Sequence, residues 1–98
     1  MTDDRRLWRR REEDVAMVES DLRVAMLDLR RLDDPPIILE GSAAVIWQLL
    51  AEPQTIDDLL TDLAEVFDAP ASEMVGGARA FLEDLERRGL VLSNEEAD

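Results

Sequence analysis

Apolar and polar positions alternate over residues 22–27, where Leu22, Val24 and Met26 take turns with Arg23, Ala25 and Leu27. A period of two is that of a β-strand with one face packed inward and the other partly covered. Val15-Ala16-Met17-Val18 precedes it across the polar Glu19-Ser20-Asp21, so the two segments read as a hairpin. A charged stretch from Arg30 ends in Pro35-Pro36, which cannot donate to a ladder, and a short third strand, Ile37-Ile38-Leu39, follows.

After Gly41 the period becomes helical. Ser42 is the expected N-cap of a first helix with Ala43, Ala44, Ile46, Trp47, Leu49 and Leu50, stopping before Pro53. Thr55-Ile56-Asp57-Asp58 resembles a capping box and opens a second helix that turns Ile56, Leu59, Leu60, Leu63 and Phe67 inward. The third helix is expected from about Ser72 to Arg88, with Met74, Ala78, Phe81 and Leu85 on one line and Gly89 as its left-handed terminator. Leu90-Val91-Leu92 leaves room for a short strand or extended wing.

The elements segregate, strands first and helices after, so the fold class is α+β. The arrangement is winged helix-turn-helix-like, a three-stranded N-terminal β-sheet packed on a three-helix bundle. One domain spans 14–92. Residues 1–13 carry five Arg against four acids and read as a flexible charged N-terminal arm, with Trp8 an anchor or an incidental residue. Residues 93–98 form an acidic tail.

Composition narrows the function. The 98 residues hold 24 acids and 11 basic residues, all of them Arg, for a net charge of −13, without any His or Cys. Imidazole and thiolate supply most general bases, nucleophiles and transition-metal ligands, so no catalytic residue, metal site or cofactor is read from this chain. The closest carboxylate groupings, Asp33-Asp34, Asp57-Asp58 and Asp62 with Glu65, show no spacing that selects an acid-base pair. Glu83 with Arg87 and Asp84 with Arg88 are helix-stabilising pairs at i, i+4. No phosphate-binding loop is present. From Glu52 to Leu92 ten acids face three arginines, so nucleic acid is not an expected partner. No apolar run is long enough to span a membrane and the N-terminus carries no secretion signal, so the expected location is cytoplasmic.

Two features remain unexplained by stability. Gly76-Gly77 lies inside a helical pattern at a cost of about 1 kcal/mol per glycine relative to Ala. Gly76 and Ala80 form a small-residue line that suits either close packing of the first or second helix or the approach of a partner. The third strand is short, apolar and follows a Pro-Pro break, which makes it a candidate sheet edge able to accept an added peptide strand. A groove between Ile37-Ile38-Leu39 and the helix-three flank Val75, Arg79, Leu82 and Glu86 has an apolar floor and a charged rim. The opposing reading makes Val75 and Leu82 ordinary core and covers the edge with the N-terminal arm.

Three segments, Leu39-Glu40-Gly41-Ser42-Ala43-Ala44-Val45-Ile46-Trp47, Thr55-Ile56-Asp57-Asp58-Leu59-Leu60 and Phe81-Leu82-Glu83-Asp84-Leu85-Glu86-Arg87-Arg88-Gly89-Leu90-Val91, together resemble the PqqD-like family. These are the peptide-recognition elements of ribosomal peptide modification pathways, and the resemblance covers about residues 14 to 92. It implies a non-catalytic chaperone that binds the leader of a precursor peptide as an extra strand beside the third strand, against the third helix. The leader is then presented to a modifying enzyme, a radical-SAM protein or a leader protease. Carried over by position, the peptide-binding residues are Ile37, Ile38, Leu39, Val75, Arg79, Leu82 and Glu86. The acidic excess suits a basic surface on the leader or the enzyme. The competing readings are a winged-helix transcriptional regulator and a structural domain that forms a homodimer through the same edge.

Overall fold

The computed structural model describes residues 6–95. Five strands and three helices follow in the order β1 (Arg6–Arg10), β2 (Val15–Ser20), β3 (Arg23–Asp28), β4 (Ile37–Glu40), α1 (Ser42–Leu49), α2 (Ile56–Phe67), α3 (Val75–Arg87) and β5 (Val91–Glu95). A single 3-10 turn, Ala71–Glu73, precedes α3. The strands form two antiparallel sheets, one ordered β2-β3-β4 and one that pairs β1 with β5.

The second sheet corrects the expectation of a flexible arm over residues 1–13. Arg6–Arg10 is a strand in register with Val91–Glu95, Trp8 opposite Ser93, so the first residues of the expected acidic tail are paired as well. Residues 1–5 and 96–98, the rest of those two segments, lie outside the described residues. The cause is the indole. Trp8 is 1% exposed within the core, and its main chain exchanges hydrogen bonds with Gln54 at 2.8 and 3.0 Å. Arginines that read as solvated charge lie over rings instead, Arg6 at 4.8 Å from the Trp8 centroid and Arg10 at 5.7 Å from that of Trp47. A guanidinium keeps its charge wet while its stem and face cover an aromatic surface.

In the three-stranded sheet the hairpin register pairs Ser20 with Arg23, leaving Asp21-Leu22 as the turn. Leu22 was expected on the inner face of the second strand; it is instead an exposed turn residue at φ 59. The inner face carries Val24, Met26 and the buried Asp28, with Ile37 and Leu39 beside them on β4. Asp28 is held by Arg11, whose guanidinium donates to Asp28 Oδ1 at 2.8 Å and to the Gly89 carbonyl at 2.9 Å. That one buried pair ties the end of β1, the end of β3 and the α3–β5 turn together.

The helices follow the expected order with two changes of detail. The residue before α1 is Gly41 at φ 65, and the Ser42 side chain makes no capping bond. Thr55 does cap α2, accepting from the Asp58 N–H at 3.2 Å. The third helix begins at Val75, because the segment Ala71–Glu73 is tightened into a 3-10 turn. It ends at Gly89, φ 76, as the sequence predicts. Its buried line is Ala78, Leu82 and Leu85, with Met74 and Phe81 only half-buried on one side. The core gathers Trp8, Trp47, Leu50, Ile56, Leu59 and Leu63 from both sheets' helical side.

Candidate peptide-binding edge

Among the described residues β4 is the terminal strand of its sheet, paired with β3 alone. Antiparallel pairs alternate between those that exchange hydrogen bonds and those that do not. The Gly41 N–H donates to the Leu22 carbonyl at 3.0 Å, which sets the alternation. Leu39 opposite Val24 and Ile37 opposite Met26 are then bonded pairs, while Ile38 and Glu40 turn their N–H and C=O groups away from β3. These two residues supply an edge that another extended chain can pair with. The Ile38 side chain lies on the outward face of the sheet, in a row with Val18 and Ala25, and is half-exposed.

Two hollows of about 400 Å³ each lie near the two ends of β4. One lies at the start of β4, against Pro36, Ile37, Arg31, Arg88 and Leu90. Arg88 is paired across the helix surface with Asp84 at 3.4 Å. The other lies just past the end of β4, where Ser42 and Ala43 of α1 face Met74, Gly77 and Phe81 of α3. Met74, Gly77, Phe81 and Arg88 fall at i, i+3, i+7 and i+14, one flank of α3. A single helix flank therefore borders both hollows.

This flank is not the one expected from the sequence. Ile37, Ile38 and Leu39 do form an edge strand, Ile37 half-buried and Leu39 buried against the core. Glu86, however, accepts from Ser93 Oγ at 2.6 Å and so lies on the side of α3 that meets β5. Val75 and Arg79 share that side by helical spacing, and Leu82, wholly buried, is part of the core between the two flanks. The sequence shows one apolar stripe with a shoulder on each side. Which shoulder meets which strand depends on β5 and on its pairing with β1, whose arginines carry no strand signal.

Sequence reasoning left the role of Trp8 open between an anchor and an incidental residue, and it left out the Arg11–Asp28 pair and Met74, Gly77, Phe81 and Arg88 as groove residues. The signal that finds these four is their common flank on the helix. The small-residue line of Gly76 and Ala80 does not serve close packing inside the chain, since a Cβ built on Gly76 or Gly77 meets nothing within 4 Å. Among the described residues no helix is long and apolar enough to cross a membrane.

Residues 23–91 match the family model described as coenzyme PQQ synthesis protein D (PqqD). The fold is similar to that of a solved structure, TbiB1 in complex with the TbiA(beta) leader peptide, with a TM-score of 0.68 and 21% identity. The similarity covers 89% of this chain and 96% of that one. No curated protein sequence matches the chain.

Proposed function

Because the chain belongs to the PqqD family, we propose that it captures the leader of a ribosomally made precursor peptide as an added strand beside β4. It holds that leader for a modifying enzyme and performs no chemistry itself. The observation that carries this reading is the edge of β4 that no described residue pairs with, where the main-chain groups of Ile38 and Glu40 are directed outward. Backbone pairing of this kind gives affinity, and the hollows beside it give side-chain specificity. The TbiB1 structure, which holds a leader peptide on a similar fold, is consistent with the same use here.

Ile37, Ile38 and Leu39 are the strand residues of the proposed site. On the helix, Met74, Gly77, Phe81 and Arg88 are the contacts the groove supports, in place of Val75, Arg79, Leu82 and Glu86. The absence of His and Cys from the sequence suits an adaptor whose partner supplies the chemistry. A radical-SAM protein or a leader protease is the proposed class of partner enzyme.

Titration of a fluorescently labelled leader, taken from a short reading frame beside the gene, tests the reading. Saturable binding that Ile38→Pro abolishes is the expected result. Undiminished binding to the Ile38→Pro variant overturns strand addition at β4.

A further inference from the structure

Gly76 and Gly77 stand in the first turn of α3, and the backbone does not require a glycine at either position, since positive φ among glycines is confined to Gly41 and Gly89. Packing does not require them either, because a Cβ at each meets open space. They weaken the helix without any return inside the chain. Only their surroundings distinguish them. Gly77 faces the hollow at the end of β4, with Ala43, Ile46, Met74 and Phe81 around it, whereas Gly76 is not part of that lining.

We propose that Gly77 keeps this hollow open as a notch for one bulky apolar side chain, of leucine or aromatic size, carried by the peptide that pairs with β4. A basic residue of the same peptide sits next to it and faces Glu73. The inference rests on the reading of β4 as a peptide-binding edge. The position of the notch supports the occupant: Ser42 and Ala43 line it just beyond Glu40, so a strand rising about 3.3 Å per residue alongside β4 reaches it within about two further residues. Charge supports the basic neighbour. Glu73 is the only charged residue in a lining that is otherwise apolar apart from Ser42, on a chain of net charge −13. A side chain at position 77 would project into the space the peptide needs.

Positional-scanning libraries of short synthetic peptides, screened on the wild-type protein and on Gly76→Ala, Gly77→Ala and Gly77→Leu, test this. Wild type should select Phe, Trp or Leu at one position beside Lys or Arg, with the selection dependent on an intact β4 edge and lost in Ile38→Pro. Gly76→Ala and Gly77→Ala should each raise Tm by about 4–8 °C through helix propensity. Gly76→Ala should keep the selection, Gly77→Ala should weaken it severalfold, and Gly77→Leu should reduce affinity for the selected peptide about tenfold. If peptides bind at β4 without bulky apolar selection, or bind equally to Gly77→Ala and wild type, the notch is overturned and strand addition stands. If no peptide binds the folded wild-type protein, both fall.

Discussion

The Gly41 N–H donates to the Leu22 carbonyl at 3.0 Å, and this bond determines which way every main-chain group of β4 points. It assigns Ile37 and Leu39 to the ladder with β3 and Ile38 and Glu40 to the open edge. Neighbouring residues of one short strand thus have opposite duties, and proline separates them because it removes a single N–H.

Ile38→Pro is expected to cost the fold less than about 1 kcal/mol, since the lost donor is not in the ladder and proline is tolerated on edge strands. Leu39→Pro is expected to cost about 3 kcal/mol or more, losing a ladder bond and a buried side chain. Urea unfolding of the two variants checks this. Destabilisation by Ile38→Pro as large as that by Leu39→Pro would contradict the alternation deduced from Gly41.

The Arg11–Asp28 pair is buried on both sides, at 7% side-chain exposure each. Truncating Asp28 leaves the buried Arg11 guanidinium without its carboxylate partner, so Asp28→Ala should cost about 3–5 kcal/mol. The double variant Arg11→Met, Asp28→Leu should lose less than the sum of its singles, with a coupling of about 0.5–3 kcal/mol in a double-mutant cycle. Strict additivity would show that the two side chains stabilise the fold independently.

Trp8 makes β1 part of the fold. Trp8→Ala should cost about 3–5 kcal/mol, as for other large aromatic residues removed from a core. Trp8→Phe should cost clearly less, because the buried Trp8 Nε1 has no hydrogen-bond partner among the described residues and its removal relieves an unsatisfied donor. Thermal unfolding followed by circular dichroism measures both. A Trp8→Ala protein as stable as wild type would return residues 6–10 to the status of a loose arm.

The legible parts of the fold were those written locally. The two-residue period of β3, the Thr55 cap, the Gly89 terminator and the Pro35-Pro36 break before β4 each depend on a few neighbouring residues. β1 was not legible, because its arginines resemble a solvated run and its stability comes from contacts with Gln54, Leu50 and β5, all far along the chain. The same gap hid how the flanks of α3 are placed. With β5 unpaired in the sequence reading, nothing showed that Glu86 would turn toward Ser93, leaving Met74, Gly77, Phe81 and Arg88 for the groove.

Strand addition at β4 is tested most directly by amide hydrogen exchange along that strand, with and without a leader peptide. Without peptide, the Ile37 and Leu39 amides should be protected by the ladder while those of Ile38 and Glu40 exchange with solvent. With a saturating leader, Ile38 and Glu40 should become protected and the other two should change little. A leader that binds and leaves Ile38 and Glu40 exchanging as before would contradict the account.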